Sequence, residues 1–434
     1  MADVTETRHG PGSRSEPRRR VGVVVLFSEA GLAHMPPPHA LTAPVRVGRD
    51  EGVELRLADS QISREHARLS PAPEGVLVTD LGSRNGTFID GNKVDGADTF
   101  APVGSCLRLG KTLLAVVQDV DLFRREASVT ALPLVGGPRL AAIRRLVATV
   151  GATPHAALVL GETGTGKERV AEALHQASGR AGRFVAVNCS AIPADLIESE
   201  LFGHAKGAFS GSHQARTGLF RQAQDGTLFL DEVFDLPLGA QAKLLRALET
   251  GEVRAVGEDQ VSRVDVRIVA ATNVDLVRMA EEGRFRSDLL HRLSVWRIDL
   301  PPLRERSEDV PLLAWHFLPQ GSAPFSVEAM ELLVLGRWPG NVRQLRSSVL
   351  TGSARAAAER AAQILPAHLD VQPAERAQGE PGTDAVFAER VKTALQLREG
   401  NVAQVARDLD CGRPWLYQEL KRLSIDPGAY RKRQ

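Results

Sequence analysis

The chain has 434 residues, which at roughly 150 residues per domain indicates about three folded units. Its hydrophobic content of 43%, charged content of 25% and formal net charge of +1 exclude wholesale disorder and a uniformly basic protein. Short apolar runs and three widely separated cysteines exclude a membrane-spanning helix, a disulfide framework and a zinc site, so we expect a soluble cytoplasmic protein with no membrane partner. Residues 1–20, rich in Arg, Ser, Pro and Gly, predict a disordered tail rather than a signal peptide.

Residues 21–118 predict an all-β sandwich, because short strand-like runs alternate with turn residues. The dipeptide Asp90-Gly91 predicts a tight hairpin turn. The expected strands are Val45–Val47, Glu54–Leu57, Val76–Thr79, Thr87–Ile89 and Leu107–Leu109.

Three polar motifs interrupt these strands, and they read GR (48–49), SREH (63–66) and DLGSRNGT (80–87). As a set they resemble the forkhead-associated (FHA) domain. The resemblance implies a phosphothreonine-containing protein as partner and a pocket formed by Arg49, Ser63, Arg64, Arg84 and Asn85. Arginine with a hydroxyl and an amide suits phosphate on an extended peptide, whereas the alternative is ordinary solvated charge on loop tips. We expect His66 to be structural and to fasten the loops through backbone groups.

Residues 134–300 predict an α/β subdomain with a mostly parallel sheet, preceded by a linker at 119–133. The expected strands are Ala157–Leu160, Phe184–Val187, Thr227–Leu230 and Val266–Ala270. After Leu300-Pro301-Pro302 the pattern is helical, which predicts a helical subdomain at 301–371 followed by a linker at 372–384.

A buried strand, a Gly-rich turn and the start of a helix occupy residues 157–168. The turn consists of Gly161, Glu162, Thr163, Gly164, Thr165, Gly166, Lys167 and Glu168. Its amides suit phosphates and Lys167 suits the β and γ oxygens, although Glu168 replaces the usual Ser or Thr. A second apolar strand ends in Asp231, placed to hold magnesium through water, and Glu232, placed to orient the attacking water. Together the motifs predict ATP and Mg²⁺ binding, against the alternative of a glycine turn with an unrelated acidic pair.

Residues 134–369 resemble the AAA+ ATPase domain of the bacterial activators that bind enhancers and act on sigma-54 RNA polymerase. The resemblance rests on GETGTGKE (161–168) and on six blocks that follow it in order: residues 184–211, GTLFLDEV (226–233), VRIVAATN (266–273), FRSDLLHRL (285–293), LPPLRER (300–306) and WPGNVRQL (338–345). It implies an ATPase that works as a homo-oligomeric ring, a hexamer when active, and remodels the closed complex of sigma-54 RNA polymerase. In that family Glu is the usual residue at the position of Glu168.

The same resemblance implies roles at single positions. Asn188 matches the polar residue that switches Glu232, and Asn273 matches the sensor of the γ-phosphate. The arginines implied to act on the phosphates are Arg286 and Arg292, which would reach into a neighbouring subunit's site, and Arg343 in the lid. Charge that develops on a transferred phosphoryl group requires such cations. The alternative for Arg286 and Arg292 is an ordinary pair on a helix surface.

The segment Gly207, Ala208, Phe209, Ser210, Gly211 and Ser212 matches the loop with which the family contacts sigma-54, normally GAFTGA. Ser210 and Ser212 replace Thr and Ala. Arg221 stands where the family commonly has Glu, so a charge thought to couple this loop to the nucleotide site is reversed.

Residues 385–434 predict an all-α helix-turn-helix domain, because apolar residues recur at i, i+3, i+4 and i+7 before and after a turn at 410–412. The segment resembles the Fis-type domain that usually ends these activators. The resemblance implies contact with enhancer DNA through Arg413, Trp415, Gln418, Lys421 and Arg422. The alternative is a small helical pair with a solvated basic face.

The whole chain is therefore interpreted as a sigma-54-dependent activator that is regulated by phosphothreonine recognition. Two alternatives remain: an AAA+ remodeller of another protein, and a phosphopeptide-binding scaffold with residual ATPase activity.

Overall fold

The structure is a computed structural model that describes residues 20–31, 35–125, 134–208, 214–372, 388, 391–398, 400–408, 416, 420, 423 and 425–430. The chain divides into two compact units, which comprise residues 1–124 with 377–434, and residues 125–376. The predicted tail up to residue 19 and most of the two predicted linkers, 126–133 and 373–384, lie outside the described residues.

The N-terminal domain is a β-sandwich, as predicted. Its strands are β1 (Gly22–Ser28), β2 (His39–Ala40), β3 (Val45–Gly48), β4 (Leu55–Arg56), β5 (Ala67–Ala72), β6 (Gly75–Asp80), β7 (Thr87–Ile89), β8 (Asn92–Lys93), β9 (Thr99–Pro102), β10 (Cys106–Leu109) and β11 (Thr112–Val117). One sheet has the order β2-β1-β11-β10-β7-β8, and the other has the order β4-β3-β5-β6-β9. Alternate residues of the strands, including Val45, Val47, Leu69, Val78 and Leu107, are buried in one aliphatic core.

The predicted hairpin turn joins β7 to β8, where Ile89 pairs with Asn92. Asp90 and Gly91 both have positive φ, 48° and 82°, which is the backbone form that a two-residue hairpin turn requires. All five strands expected in this domain are present, although β4 is two residues long.

A helix extends the sandwich past its predicted boundary at residue 118. Helix α1 (Val120–Arg125) follows β11 directly. Val120 and Phe123 pack on Ala115 and Val117 of the outer face of β11. Because the apolar side chains of this short helix cover an otherwise exposed apolar strand face, the start of the predicted linker is folded.

The central domain contains a five-stranded parallel sheet. Its strands are β12 (Ala157–Leu160), β13 (Phe184–Asn188), β16 (Thr227–Asp231), β19 (Arg267–Thr272) and β20 (Trp296–Asp299), in the order β13-β16-β19-β12-β20. The four predicted strands are present, and β20 is an addition at the edge. Two antiparallel pairs lie outside this sheet: β14 (Gly203–His204) with β15 (Arg216–Thr217), and β17 (Glu252–Arg254) with β18 (Val261–Arg263).

Helices cover both faces of the parallel sheet. They are α2 (Pro138–Gly151), α3 (Lys167–Ser178), α4 (Ile197–Phe202), α5 (Leu219–Gln222), α6 (Leu238–Thr250), α7 (Leu276–Glu281) and α8 (Ser287–Leu293). Val269 and Ala271 of β19 pack in the core that contains α2 and α3, whereas Ile268 and Ala270 pack in the core that contains α4, α6 and α8. This alternation produces a three-layer α/β domain whose carboxyl strand ends share one edge.

The helical subdomain predicted at 301–371 is present. It comprises α9 (Val310–Phe317), α10 (Val327–Val334) and α11 (Asn341–Ala358), with short 3-10 turns at Leu303–Glu305, Ser307–Asp309 and Pro366–His368. Ser326 caps α10 by accepting a hydrogen bond from the amide of Ala329.

The described part of the C-terminal region forms a small apolar cluster. Residues 391–397 are helical, and a second helix spans Val402–Asp408. The buried members are Val391, Leu395, Val402, Val405, Ala406, Leu416, Leu420 and Ile425. Within the described residues, no helix is both long enough and apolar enough to cross a bilayer.

Candidate functional site

Residues 161–166 form a loop between β12 and α3, and Lys167 and Glu168 begin the helix, where the sequence predicts a phosphate site. Gly164 and Gly166 have φ values of 79° and 108°, which residues other than glycine rarely adopt. Helix α3 begins at Lys167, so the amides of its first turn, which lack partners within the helix, lie at the loop. The loop therefore has the backbone form that accommodates an anion.

Lys167 and Glu232 lie opposite each other at this loop. Lys167 is 6% exposed, and its Nζ donates to the Gly161 carbonyl at 3.0 Å and lies 3.7 Å from Glu232 Oε1. Burial raises the pKa of the Glu232 carboxyl, and the charge of Lys167 partly opposes this shift. The second carboxylate oxygen, Oε2, is buried and lacks a hydrogen-bond partner among the described residues. Such a carboxylate is suited to accept a proton.

Three further predicted residues lie at the carboxyl edge of the sheet. Asn188 and Asp231 end two adjacent strands and are paired in register. Asn273 follows β19, and its amide donates to Thr163 Oγ1 in the phosphate loop at 3.1 Å. The Asn188 side chain accepts a hydrogen bond from the Ser190 amide rather than contacting Glu232. The structure thus brings Asn273 to the phosphate loop, and it places Asn188 beside Asp231.

The helical subdomain is fastened to the phosphate loop through Glu162. Arg304 donates to both carboxylate oxygens of Glu162, at 2.8 and 2.7 Å, and Asn341 Nδ2 adds a third bond at 3.1 Å. Asn341 also donates to the Thr163 carbonyl and accepts from the Leu303 amide. These bonds hold the pKa of the Glu162 carboxyl below its usual range, chiefly through Arg304.

A backbone contact joins the same two parts of the chain. A Cβ at Gly164 would lie 2.3 Å from the Gly340 carbonyl oxygen, so only glycine permits this approach. The amide of Arg343, the predicted lid sensor, donates to the Gly164 carbonyl at 3.3 Å. The side chain of Arg343 is exposed beside the loop.

A cleft of about 490 Å³ adjoins the loop at Gly161. Apolar and charged side chains of α2, β12, β20 and the segment after β20 line it, among them Ile143, Leu160, Leu300, Pro302 and Arg139. Its apolar lining next to an anion-binding loop suits a flat heterocycle attached to phosphates.

Arg286 and Arg292 lie at the two ends of α8. Arg286 pairs with Asp288 at 2.7 Å, and Arg292 pairs with Glu249 at 3.2 Å. Both guanidinium groups are on the surface of the central domain, and none of their described contacts is with the phosphate loop of the same chain. Surface placement is compatible with action on another protomer and equally with ordinary ion pairs.

The predicted sigma-54 loop is described only at its base. Gly207 and Ala208 are described, whereas Phe209, Ser210, Gly211 and Ser212 lie outside the described residues. The two stems are joined by the pairing of β14 with β15, and by a bond from His204 Nε2 to the Gln214 carbonyl.

The turn between β17 and β18 lies against the first stem. The Ala205 amide donates to the Val256 carbonyl at 2.9 Å, and the Val256 amide donates to the Gly203 carbonyl at 2.8 Å. Arg221, which follows the second stem, donates to Ser262 Oγ at 2.7 Å and lies 3.7 Å from Glu258 Oε2. The reversed charge at position 221 therefore has an acidic partner on the β17–β18 hairpin.

His66 joins the loops at one end of the N-terminal sandwich. It is fully buried, accepts from the Ser63 amide at its Nδ1, and bonds the Gly86 carbonyl through its Nε2. Burial lowers the pKa of the imidazole, which favours the neutral ring that this bonding requires. The expected structural role of His66 fits these contacts.

The five predicted pocket residues lie on the loops that His66 joins. The Arg49 amide donates to the Ser63 carbonyl, and the Arg84 amide donates to Ser63 Oγ at 3.1 Å. Asn85 donates to the carbonyl and side chain of Gln61. The Arg64 carbonyl lies so close to Gly48 that a Cβ there would be 1.9 Å away. The backbone thus holds all five residues at one end of the sandwich.

The predicted DNA-contacting residues Arg413, Trp415, Gln418, Lys421 and Arg422 lie outside the described residues. Their assignment stays a prediction.

Comparison with protein families finds three matching regions. Residues 45–110 match the FHA domain, residues 135–299 match the Sigma-54 interaction domain, and residues 304–384 match the AAA+ ATPase lid domain.

Curated relatives decide the family. The transcriptional regulator NtrC of Salmonella typhimurium is 42% identical over 328 residues, which cover 67% of this chain and 69% of that protein. The chain belongs to the NtrC family of sigma-54-dependent activators. NtrC of Azospirillum brasilense is 50% identical over 263 residues, and the regulatory protein LuxO of Vibrio cholerae is 42% identical over 339 residues. This NtrC-family chain spans only 53% and 64% of those two relatives.

A solved structure supports the fold of the ATPase domain. NtrX from Brucella abortus in complex with ATP is 32% identical, with a TM-score of 0.53 over 70% of this chain and 72% of that chain. The central domain of this NtrC-family chain, with its lid, is an AAA+ ATPase domain.

Sequence reasoning missed three residues that contact the phosphate loop: Arg304, Arg306 and Asn341. They lie within the blocks at 300–306 and 338–345, which carry part of the family resemblance. Their polar side chains next to buried apolar neighbours were the available signal.

Proposed function

We propose that this chain is a sigma-54-dependent transcription activator that hydrolyses ATP in a ring and is controlled by phosphothreonine recognition. The observation that carries the proposal is the phosphate loop, which Asn273 contacts from the sheet and Asn341 contacts from the lid, with Lys167 facing Glu232 across it. Residues of three elements thus converge on one anion-binding loop.

The chemistry follows from these positions. Lys167 and the loop amides bind the β and γ phosphate oxygens, and Glu232 accepts the proton of the attacking water. Its raised pKa strengthens it as a proton acceptor, and its buried free oxygen is available for that water. Arg343 stabilises charge on the transferred phosphoryl group within the chain, and Arg286 and Arg292 do so from a neighbouring protomer.

The donor set at the site fits magnesium. Asp231 is the last residue of β16. Its Oδ1 accepts a hydrogen bond from the Glu232 amide at 3.1 Å. The described residues contain no group of three or more His, Cys, Asp or Glu side chains that forms a complete metal site. Mg²⁺ commonly uses one or two carboxylates and completes its shell with water and phosphate oxygens. Asp231 would hold the ion, which neutralises phosphate charge when bound.

The proposal also assigns a partner to the Phe209 loop, to the FHA domain and to the C-terminal helices. The loop that carries Phe209 would contact sigma-54, since its stems end at the β17–β18 turn and at α5, close to the nucleotide-binding sheet. The FHA domain would bind a phosphothreonine-containing protein through Arg49, Ser63, Arg64, Arg84 and Asn85. The C-terminal helices would bind enhancer DNA.

The charge reversal at Arg221 favours a second candidate, an AAA+ remodeller with another protein target. Arg221 bonds the β17–β18 hairpin, and the turn of that hairpin bonds the first stem of the loop at residues 207–212, which we call the output loop. Arg in place of the usual Glu therefore reverses a charge on a hairpin that contacts this stem.

One experiment tests both candidates. Purified chain, sigma-54 RNA polymerase, promoter DNA and ATP should yield open complexes, and Lys167→Ala should abolish both ATP turnover and opening. The exposed Lys93→Ala, on β8 of the N-terminal sandwich, provides a control for loss of a lysine. ATP turnover that depends on Lys167, without opening under any activating condition, would support the second candidate. Opening that persists in Lys167→Ala would refute the role of ATP.

A further inference from the structure

Two buried charged residues connect the lid to the phosphate loop. Arg306 is 2% exposed and Asp309 is fully buried, and they pair at 3.2 Å. Arg306 Nη2 donates to the Thr165 carbonyl of the phosphate loop at 2.9 Å, and its Nε donates to the Pro301 carbonyl at 3.2 Å. All three nitrogens of the guanidinium group are thus engaged.

The other end of this pair contacts residues 134–137, which we call the leading segment because they precede the first helix of the central domain. Asp309 Oδ1 accepts a hydrogen bond from the Gly137 amide at 2.5 Å. Arg144 of α2 donates to the Leu134, Gly136 and Gly137 carbonyls at 3.1, 2.9 and 3.2 Å. The leading segment is therefore held from both sides by buried charge.

The fit of the leading segment to Asp309 depends on glycine. A Cβ at Gly137 would lie 2.9 Å from Asp309 Oδ1, and a Cβ at Gly136 would lie 2.8 Å from Asp309 Oδ2. A buried ion pair is weak as a source of stability, because desolvation offsets its attraction. Here the pair joins three segments that are distant in sequence, at residues 134–137, 165 and 306–309.

We propose that Arg306 and Asp309 are positioning residues through which the leading segment sets the conformation of the phosphate loop and hence its affinity for nucleotide. The proposal rests on the function proposed above for that loop. The leading segment follows the FHA domain and the linker in the chain, so displacement of this segment is a route by which the N-terminal half regulates nucleotide binding. The Gly137–Asp309–Arg306–Thr165 series of contacts is the relay.

Reciprocity provides the first test. If the leading segment affects nucleotide affinity, nucleotide must affect the leading segment by the same factor. In the full-length chain we expect ADP to slow hydrogen exchange of the Gly137 amide by about tenfold. Arg306→Lys, which retains the charge but cannot make all three bonds, should still bind ADP and should lose this response. A Gly137 amide that ignores ADP in the wild type, or that still responds in Arg306→Lys, overturns the relay.

Substitution of Gly137, the residue of the relay farthest from the phosphate loop, provides the second test. Gly137→Ala should weaken the ADP Kd by about tenfold, although residue 137 is separated from the loop by two side chains. In a double-mutant cycle its effect should be non-additive with Arg306→Lys and additive with Asn273→Ala, which contacts the loop outside the relay. Additivity with Arg306→Lys overturns the relay.

Two adjacent arginines of α2 supply a matched pair of variants. Arg144→Ala should weaken ADP binding, whereas Arg145→Ala, which removes an exposed side chain, should bind ADP as the wild type does. Melting temperatures identify any variant that is unfolded. Equal ADP affinities for folded Arg144→Ala, Gly137→Ala and wild type would count against the relay alone. A wild-type chain that shows no Lys167-dependent ADP binding would instead remove the proposed function, and the relay with it.

Discussion

At the scale of single residues, six of the seven arginines in residues 45–110 of the FHA domain form two groups, and the seventh, Arg108, lies over the Phe88 ring. Arg46, Arg56 and Arg68 each have an acidic partner: Glu54 and Glu65, Glu51, and Asp98 respectively. The guanidinium groups of Arg49, Arg64 and Arg84 have none among the described residues, and these are the arginines at the His66 end. Cations left unpaired on adjoining loops repel each other, which an anionic ligand would relieve.

This difference predicts the effect of removing one arginine from each group. Arg49→Ala should abolish binding of a phosphothreonine peptide and leave basal ATP turnover intact, because it removes a cation from the pocket only. Arg68→Ala removes a paired surface cation and should bind the peptide as the wild type does. Peptide titration with fluorescence anisotropy measures both. Unchanged affinity in Arg49→Ala would refute the assigned pocket.

The carboxyl of Glu308 predicts a dependence of stability on pH. Burial raises its pKa from 4.5 to about 7, and the charge of Asp309 acts in the same direction, whereas Arg139 and Arg306 lower it. The folded state therefore retains a proton that the unfolded chain releases, so this contribution to stability is largest at low pH. It falls as the pH rises from about 4.5 to about 7.

The glutamine side chain of Glu308→Gln is uncharged at every pH, so this variant should not lose stability through ionisation at position 308 as the pH rises. We expect the free energy of unfolding of Glu308→Gln, relative to wild type, to increase between about pH 5 and about pH 8. Urea unfolding at several pH values measures it, with the exposed Glu328→Gln as control. A wild-type-to-variant difference that is constant with pH would contradict the prediction.

Candidate site residues could be identified from the sequence where the pattern that marks them is short, and their roles stay predictions. Lys167 and Asp231 were found because a glycine loop and an apolar strand ending in acid each fit within a dozen residues. The contact of Arg306 with Thr165 was not predictable, since its partner is a backbone carbonyl 141 residues away and carries no sequence signal. The pairing of Arg221 with Glu258 was missed for the same reason: both residues look like ordinary surface charges until the β17–β18 hairpin folds.

At the scale of elements, strands with continuous apolar runs were predicted close to their observed ends. Ala157–Leu160 is identical in both, and Thr227–Leu230 is one residue short. β20 was missed because Trp296–Asp299 alternates apolar and charged residues, as an edge strand does, and is only four residues long. α1 was missed because its apolar side chains face a strand surface that only the folded sandwich presents.

The β17–β18 hairpin and α5 predict a charge-swap experiment. Arg221→Glu replaces the cation that lies 3.7 Å from Glu258 with a carboxylate, and it should lower promoter opening by about tenfold through repulsion at this half-buried position, with ATP turnover retained. Adding Glu258→Arg should restore opening. Recovery is measured as open complex per ATP hydrolysed. A double variant no better than Arg221→Glu would show that the pair does not set the output loop.

At the scale of the whole molecule, the question is whether one protomer contains a complete ATPase site. One central domain with its lid carries the lysine, the two carboxylates and the three asparagines described above, namely Lys167, Asp231, Glu232, Asn188, Asn273 and Asn341. Arg286 and Arg292 lie elsewhere on that domain's surface. A site completed by these arginines must therefore be completed between two copies of the chain.

Mixed rings test this arrangement. Lys167→Ala and Arg292→Ala should each be inactive, but a mixture should regain turnover, because roughly a quarter of the interfaces then join an intact loop to an intact arginine. The double variant Lys167→Ala/Arg292→Ala mixed with Lys167→Ala offers no such interface and should stay inactive. Absence of recovery in the first mixture would exclude a shared site.

Arg49, Arg64 and Arg84, which have no acidic partner in the part of the chain that the structure describes, also affect how binding to the FHA domain should be assayed. A cluster of free guanidinium groups attracts any small oxyanion, so inorganic phosphate or sulfate in a buffer would compete with a phosphorylated peptide. Titrations in phosphate-buffered saline would then report a weaker affinity than titrations in a chloride buffer of equal ionic strength.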